Sequence, residues 1–564
     1  MRGILCLRWV ARLLGTAVFL QLSCDVIPSH AQIQLDNQTP TEIEVVGNES
    51  TISGGSVSGP NQFHSFDSFS IPAGDVVTFE ALPDVSHIIN RVTGDSISAI
   101  DGEIRYTGDS ASIFLINPNG IVFGPESTLN VNASFIATTA DGIAFQDGSF
   151  WGVSGETSQA PLLTSSIPLG LQFGEEPGSI HSQARTIFQP DLSMLPEELL
   201  NDPEFVIPPI PVGLEVSPNH TLALVGGDVT VEGDVESIAT AFEGFAALQA
   251  PSGRVEVGSV GSGERVSLTP VEVGWVLGYN SVSNFRDVTL SGALLQASSR
   301  SESFEAIQVQ GNTVEIANDT QINSLNEIGS VSSQPIVVNA ADSIELSEGS
   351  SITTAIFDGS GTAGDIILQS DRLSVLSDSA IDASSQGTGT GGRVIIDAID
   401  MVEVGEFSFI STTGFGDGDA GSISITTEHL SLFDIGLIAS SNRAAGAGSS
   451  GTGDAGTLTI KAESVMLADD SQLQAAAAFG KGGSISINVQ NLIEFKRGAS
   501  VSTSIGAESG GSDSGNIDID ATFLVAVPHE NSDIVANAFD GSGGNVNINP
   551  GTRVYGFTSR GFLT

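Results

Sequence analysis

The stretch Gly392-Arg393-Val394-Ile395-Ile396 opens a unit that the chain repeats, and this repetition decides the fold. In each copy an anchor residue is followed, two and four positions later, by a pair of aliphatic residues. The anchors recur at intervals of 27 to 35 residues and are Glu305, Gln334, Gly364, Gly392, Gly421, Gly456, Gly483, Gly515 and Gly544. The aliphatic pairs are Ile307/Val309, Ile336/Val338, Ile366/Leu368, Val394/Ile396, Ile423/Ile425, Leu458/Ile460, Ile485/Ile487, Ile517/Ile519 and Val546/Ile548. A repeat of this length indicates a solenoid or a propeller.

Two further apolar positions complete most units. The first falls nine or ten residues after the anchor, at Val314, Ile344, Leu373, Met401, Leu430, Val465, Leu492 and Leu524. The second falls seventeen or eighteen residues after it, at Ile322, Ile352, Ile381, Ile410, Leu473 and Val501. Each unit therefore offers three short segments with one apolar face, which only stacking on neighbouring units can bury. Propeller blades need about forty residues and four strands, so the pattern favours an all-β solenoid over a propeller.

The composition supports β structure and excludes two classes of partner. The 564 residues include 66 glycines, and 40 % of the residues are hydrophobic, which is too many for a solvated coil. With 67 acidic and 19 basic residues the formal net charge is −48, so the protein repels nucleic acid and anionic lipid headgroups. We interpret the acidity as a means of keeping an extracellular protein soluble and monomeric, in preference to dedicated cation binding.

Residues 1–31 have the pattern of a secretory signal peptide. Arg2, Arg8 and Arg12 form a basic start, residues 13–22 form a short apolar core, and Ser29-His30-Ala31 is a small-x-small cleavage site. The apolar core is too short for a lasting transmembrane anchor. We therefore predict cleavage after Ala31 and no transmembrane span in the mature chain.

Both cysteines, Cys6 and Cys24, lie in this leader. The mature chain would have no disulfide, so its stability must come from burial, and no crosslink would hinder export of an extended chain. A lipoprotein modified at Cys24 is the weaker alternative, because Gln21 stands where an aliphatic residue would be expected.

Asn117-Pro118-Asn119-Gly120 is the second stretch that organises the chain. Pro118 presets φ for a tight turn, and Asn119-Gly120 tolerates the positive φ that reverses the chain. Segments rich in β-branched and aromatic residues flank it at 112–116 and 121–123, which predicts strand, turn and strand. By itself, such a tetrapeptide indicates only a turn.

A set of ordered motifs around this turn gives it more weight. The set comprises Gly54-Gly55, Phe63-His64-Ser65-Phe66, Phe69, Asn90-Arg91-Val92-Thr93-Gly94, Ile100-Asp101-Gly102, Phe114-Leu115-Ile116-Asn117-Pro118-Asn119-Gly120-Ile121 and Phe135-Ile136-Ala137-Thr138-Thr139-Ala140. With it, the region resembles the N-terminal secretion domain of filamentous-haemagglutinin-like exoproteins of the two-partner secretion pathway. The resemblance implies a right-handed parallel β-helix with an N-terminal cap. It also implies that an outer-membrane barrel transporter recognises this domain, and that Asn117, Pro118, Asn119 and Gly120 form the recognition motif.

These observations predict five regions along the chain. They are a signal peptide at 1–31, the cap and first coils at 32–145, an extruded excursion at 146–215, irregular coils at 216–304, and regular repeats with the C-terminal end at 305–564. The excursion is inferred because proline cannot lie in an interior ladder, and this region is rich in prolines and acids, namely Pro203, Pro208, Pro209, Pro211, Glu197, Glu198, Asp202 and Glu204.

The sequence shows no pattern of catalytic, cofactor-binding or metal-binding residues. None of the seven histidines has a metal-ligand spacing such as H-E-x-x-H, and His64 has no catalytic partner nearby, so we interpret it as a packing or capping residue. Asp417-Gly418-Asp419 is similar to a calcium-binding turn, but the nonapeptide of calcium-binding repeats is absent. We expect a turn with solvated acids there.

The function predicted from these features is that of a secreted or surface-associated exoprotein, an adhesin or surface-interaction protein rather than an enzyme. Its expected partners are a cognate outer-membrane transporter and an unknown surface receptor or carbohydrate, with no cofactor. The alternative is a secreted polysaccharide-active enzyme, since β-helices can place carboxylates on an exposed face, here Asp365, Asp397, Asp518 and Asp520. Delivery of a toxin is a third hypothesis, disfavoured because no compact domain is expected after the last repeat.

Overall fold

The computed structural model describes residues 32–555, apart from 109, 154–162, 187–211, 235–243, 273, 299–305, 327–332, 358, 444–451, 504–512, 528 and 539–540. Within these limits every regular element is a β-strand, and most strands pair in parallel with the turn before and the turn after. The chain therefore folds as a parallel β-helix, as the repeat predicts. The predicted signal peptide, the anchor Glu305 and the prolines and acids of residues 197–211 lie outside the described residues.

One long sheet runs the length of the solenoid. Within the described part of the chain, fifteen of its strands each open a turn, and at ~4.8 Å per turn they advance ~67 Å. They are Asn61–Ser70, His87–Val92, Ser112–Ile116, Phe135–Thr138, Thr221–Gly226, Arg254–Ser259, Ala306–Ala317, Ile336–Leu346, Ile366–Val375, Val394–Val404, Ile423–Thr426, Leu458–Leu467, Ile485–Phe495, Ile517–Ala526 and Val546–Tyr555. Shorter strands continue the sheet at Ser98–Ile100, Ile121–Phe123, Ile180–Ser182, Val229–Glu232, Val288–Ser291 and His429–Leu432.

Two further sheets close the turns. The first turns use Thr41–Val46, Glu49–Gly54, Val76–Glu80, Glu103–Thr107 and Thr128–Asn130. Later turns use Leu214–Glu215, Ala246–Gln249, Ala293–Gln296, Gln321–Asn326, Ser351–Ile356, Ala380–Ser385, Phe409–Phe415, Leu437–Arg443, Gln472–Gln474, Ser500–Ser502 and Asp533–Val535. The N-terminal strands Gln32–Leu35 and Ser56–Ser58 pair antiparallel with Asn61–Ser70 and so form the cap.

The interior of the solenoid is the stack of aliphatic pairs that the repeat predicts. Ile307, Ile336, Ile366, Val394, Ile423, Leu458, Ile485, Ile517 and Val546 are register partners from turn to turn. Eight of the nine pairs are buried. Val546 is the exception at 40 % exposed, because no described strand pairs with its turn on the far side.

The structure corrects two of the predicted interior residues. Met401 and Leu492 lie on the outer side of their strands, and the neighbouring Val402 and Ile493 point into the core instead. Each of these long strands has two segments joined by a bend, and in these two turns the bend contains one more residue than in most other turns. The pairing with the strand of the preceding turn shifts register at that bend. One extra residue moves every following side chain to the opposite face.

A column of glycines occupies the predicted anchor positions. A Cβ atom added at Gly392, Gly421, Gly456, Gly483, Gly515 or Gly544 would overlap the carbonyl oxygen of the anchor glycine one turn earlier. None of these glycines has a positive φ, so the requirement is for close backbone approach and not for an unusual conformation.

An antiparallel outer sheet lies over the early turns. Its strands are Gly142–Phe145, Phe150–Gly152, Pro168–Gln172, Arg265–Val271 and Gly274–Gly278. It buries a column of outward-facing side chains on consecutive turns, Phe63, Ile89, Phe114, Ile136 and Ala223, beneath Trp151 and Trp275. Each large side chain removed from water in this way contributes roughly 1.5–3 kcal/mol. Residues 146–215, predicted as an excursion, thus supply two of these strands and return to the long sheet at Ile180–Ser182.

Replacing Gly421 by Ala should lower the free energy of unfolding by about 1–3 kcal/mol, because the new methyl group must separate two turns. The matched control is Gly551→Ala, where the nearest heavy atom, the Cα of Thr522, would lie 3.6 Å from the new Cβ. Urea unfolding followed by circular dichroism measures both. Equal midpoints for the two variants would contradict the role assigned to the glycine column.

Candidate functional site

The predicted recognition motif forms a corner of the third turn. The strand Ser112–Ile116 ends at Asn117, whose carbonyl oxygen accepts the N–H of Gly120 at 3.1 Å and whose Oδ1 accepts the N–H of Asn119 at 3.0 Å. Gly120 has φ near +131°, which an L side chain rarely adopts. The strand Ile121–Phe123 follows directly, so the four residues make the bend between the two strands.

This corner also joins three consecutive turns. The Nδ2 of Asn117 donates to the carbonyl oxygen of Ser96 and to the Oγ of Ser98, both at 3.0 Å, in the turn before. The carbonyl oxygen of Pro118 accepts the N–H of Gly178 at 2.8 Å, from the turn after. The side chain of Asn117 is 0 % exposed, so its hydrogen bonds hold turns together and a partner protein cannot reach it.

The exposed part of the corner consists of different residues. Asn119 is exposed, and its Nδ2 donates to the carbonyl oxygen of Gly94 at 2.8 Å. Ile97 lies beside Gly120 and is 49 % exposed. Ile97 could not be recognised from the sequence, because the alternation Ser96-Ile97-Ser98 suggests an inward isoleucine, whereas Ser98 is the buried residue.

Arg91 connects the cap, the first turns and the outer sheet. Its Nε donates to the Oγ of Ser65 at 2.9 Å, its Nη2 to the Oε1 of Gln38 at 2.6 Å, and its Nη1 to the carbonyl oxygen of Gly152. The guanidinium lies 3.9 Å from the centre of the Trp151 ring. Burial lowers the pKa of Arg91, whereas the negative charge of Asp36 acts to raise it. The motif Asn90-Arg91-Val92 therefore contains a buried cation that fixes three parts of the domain.

His64 is buried between the cap and the first turn, as a packing or capping residue would be. Its Nδ1 lies 3.0 Å from the Oγ1 of Thr41, and its Nε2 lies 3.2 Å from the Nε2 of Gln62. Burial lowers the pKa of His64 from 6.5 to about 4. Because the unfolded chain binds this proton more readily, the stability that His64 contributes is present above pH 6.5 and is lost as the pH falls towards 4.

At one edge of the outer sheet, two side chains of the solenoid hydrogen-bond the backbone of the edge strand Gly274–Gly278. The Oγ1 of Thr221 donates to the carbonyl oxygen of Trp275 at 3.0 Å and accepts its N–H at 2.9 Å. Two residues further along the same strand, the backbone N–H of Leu277 hydrogen-bonds the carboxylate of Glu256. These bonds satisfy backbone groups that an edge strand would otherwise offer to another chain.

Glu256 is fully buried at this edge, with Arg254 as its ion-pair partner at 3.1 Å. Burial raises the pKa of Glu256 to about 7, although Arg254 and the N–H of Leu277 act in the opposite direction. The folded state therefore favours the protonated carboxyl group, and ionisation between pH 4.5 and 7 reduces stability.

The carboxylates considered for an enzyme lie on three different turns, and only Asp518 and Asp520 share one. Asp365 is held by Arg393, whose Nη2 lies 2.6 Å from its Oδ2. Asp397 belongs to the next turn, and Asp518 and Asp520 lie four turns further on. The Oδ1 of Asp518 accepts a hydrogen bond from Asn547 at 2.7 Å.

The acids of Asp417-Gly418-Asp419 have a structural use that the sequence did not suggest. Both side chains are exposed, as solvated acids would be. However, the Oδ1 of Asp417 accepts the N–H of Thr452 at 3.0 Å, and the Oδ1 of Asp419 accepts the N–H of Asp454 at 2.8 Å. Each carboxylate thus links one turn to the next.

In the part of the chain that the structure describes, one group of side chains has the spacing of a metal site. Potential ligand atoms of Asp400, Glu428 and His429 lie within 4.8 Å of one another, and all three residues are exposed. Exposed groups of this kind are expected on so acidic a surface, so the trio by itself assigns no metal. The described residues include no helix with the length and hydrophobicity of a membrane span.

Replacing Glu256 by Gln should raise the free energy of unfolding at pH 8 by on the order of 3 kcal/mol, because a neutral amide avoids the buried ionised carboxylate. At pH 4.5 or below the two proteins should be close in stability. Urea unfolding at both pH values measures this, with the exposed Glu315→Gln as control. Destabilisation at pH 8 would show instead that the ion pair with Arg254 outweighs the burial.

The family model of the TPS secretion domain matches residues 31–313, which include the cap, the corner and the outer sheet. Among solved structures, the crystal structure of the HMW1 secretion domain from Haemophilus influenzae is similar at 15 % identity and a TM-score of 0.40, covering 92 % of this chain and 99 % of that chain. No curated protein matches the chain. The family match spans half of the chain, and the chain therefore belongs to the TPS secretion domain family, the exoproteins of two-partner secretion.

Proposed function

We propose that the corner at Asn117–Gly120 is part of the surface by which the outer-membrane transporter recognises this exoprotein. The observation that carries the proposal is that some residues of the motif are buried and others are exposed. Asn117 and Gly120 are buried and fix the bend, while Asn119 is exposed beside Ile97. In this proposal Asn117, Pro118 and Gly120 position the corner, and Asn119 makes the contact.

Exposed apolar side chains at the same end of the solenoid support a docking surface there. Val45 and Val46 lie in the edge strand Thr41–Val46, and Val57 lies in the cap strand Ser56–Ser58. Leu82 follows the strand Val76–Glu80 of the first turn, and Ile97 precedes the strand Ser98–Ile100 of the second. Exposed apolar side chains concentrated in one region are typical of interaction sites. The transporter would reach this end first if the N-terminal domain leads the chain through the outer membrane.

The remaining turns would serve as an extended surface for adhesion outside the cell. Each turn completes the ladder of the turn before it, so folding outside the cell from the capped end would oppose return through the pore. The expected location is therefore the medium or the cell surface, with an unidentified receptor. Catalysis gains no support from the carboxylates, because they are spread over three turns and two of them, Asp365 and Asp518, are hydrogen-bonded to neighbouring turns.

Replacing Asn119 by Ala should reduce the amount of protein that a co-expressed cognate transporter secretes by about fivefold or more, as expected from losing ~1 kcal/mol of contact energy. Its stability should fall little, because its side chain is exposed. Immunoblots of medium and periplasm measure secretion, and urea unfolding measures stability.

Two variants separate recognition from folding. Asn117→Ala should lower stability by about 1–3 kcal/mol, because it removes buried hydrogen bonds to neighbouring residues. Asn130→Ala, an exposed asparagine later in the same turn, should change neither property. Normal secretion of the Asn119→Ala variant would refute the contact proposed for Asn119.

A further inference from the structure

A groove lies where the outer sheet ends and the long sheet continues uncovered. The segment that follows Gly274–Gly278 forms one side of it, and the turns opened by Ala306–Ala317, Ile336–Leu346, Ile366–Val375 and Val394–Val404 form the rest. Its volume is about 640 Å³, within the range of small-molecule binding sites.

The floor of the groove is a ladder of polar side chains. Gln310, Asn339, Gln369 and Asp397 are register partners on four consecutive turns, so they recur every ~4.8 Å along the solenoid. The Nδ2 of Asn339 donates to the Oε1 of Gln310 at 3.3 Å, and the Nε2 of Gln310 donates to the carbonyl oxygen of Asn339 at 3.4 Å. Both hydrogen bonds are long, Asn339 is half-buried and Gln369 is exposed, so the side-chain amides of Asn339 and Gln369 can form hydrogen bonds with a ligand in the groove.

The apolar wall of the groove and the negative charge of its lining indicate which class of ligand it can bind. Half-buried Val276 and Phe285 form an apolar wall, and Ile399, 68 % exposed, lies at the opposite end of the lining. No described residue of the lining carries a positive charge, whereas Asp371 and Asp397 are acidic. An anionic ligand is therefore disfavoured, and alternating apolar and amide surfaces suit a ligand with both hydroxyl groups and C–H faces.

A peptide strand would find no backbone partner in this groove. The backbone groups of the floor pair from turn to turn, and Thr221 and Glu256 occupy the edge of the outer sheet. Recognition must therefore come from side chains. The ladder repeats at a distance similar to the length of one sugar ring, so a chain of sugars lying along the solenoid axis could meet one amide per residue.

We propose that this groove binds a neutral oligosaccharide, with Asn339 and Gln369 as its hydrogen-bonding residues, Gln310 positioning Asn339, and Phe285 as its apolar wall. This inference rests on the proposed surface-interaction function and names the class of ligand that the protein would bind. It is independent of transporter recognition, because it lies several turns from the corner at Asn117–Gly120.

The test is isothermal titration calorimetry of the secreted protein with neutral hexasaccharides of glucose, mannose, galactose and xylose, each at about 1 mM. At least one should bind with Kd below ~1 mM. The double variant Asn339→Ala/Gln369→Ala should weaken that binding about tenfold or more. Asn488→Ala is the matched control, an exposed asparagine in the same outward column three turns beyond Asp397.

Three outcomes would overturn the proposal. They are absence of binding to every neutral hexasaccharide, equal loss in the Asn488→Ala control, and binding only of a sulfated hexasaccharide or of a short cationic peptide. Secretion of the double variant separates this proposal from the proposed function. If the protein is secreted normally but binds no neutral hexasaccharide, the sugar-binding proposal is refuted and transporter recognition is not. If the double variant still binds sugar as well as the unchanged protein does, the assignment of the binding residues is refuted.

Discussion

Backbone hydrogen bonding between successive turns is the constraint on which the rest of this structure depends. Turns held at ~4.8 Å leave room for stacked aliphatic side chains inside the cylinder but for no side chain at the point of closest approach. The glycine column follows directly from this, since a methyl group at Gly421 would overlap the carbonyl oxygen of Gly392. The exposed acids Asp417 and Asp419 satisfy the same requirement at the corners, where they accept backbone N–H groups of the following turn.

A stack of turns has exposed edges, and the N-terminal half covers them with polar as well as apolar groups. Antiparallel cap strands cover the first turn, Arg91 joins the cap to the outer sheet, and Glu256 and Thr221 occupy that sheet's far edge. Burial acts in opposite directions on two of the titratable groups. His64 loses its contribution as the pH falls from 6.5 towards 4, whereas Glu256 becomes costly as the pH rises from 4.5 towards 7. Their effects therefore partly offset each other in mildly acidic solution.

The sequence was sufficient for the regular part of the solenoid because its signals are local and repeated. The pairs from Ile307/Val309 to Ile517/Ile519 are buried in register, as their spacing predicts. Where a bend contains one extra residue the spacing is ambiguous, and Met401 was predicted in place of Val402. The outer sheet could not be predicted, because Pro168–Gln172 pairs with Arg265–Val271 across almost a hundred residues of chain. At the corner, the motif was visible in the sequence, but which of its residues are exposed depends on contacts with Ser96, Ser98 and Gly178.

Engineered disulfides test the turn-to-turn register most directly. Ser424 and Thr459 are register partners on adjacent turns, and Ser486 lies one turn further. The described residues contain no cysteine that could compete, because Cys6 and Cys24 lie in residues 1–31. The pair Ser424→Cys/Thr459→Cys, at a Cα separation of ~4.8 Å, should oxidise to an intramolecular disulfide, whereas Ser424→Cys/Ser486→Cys, at ~9.6 Å, should retain free thiols. Free thiols in the first pair, or equally rapid oxidation of the second, would contradict the stacked ladder.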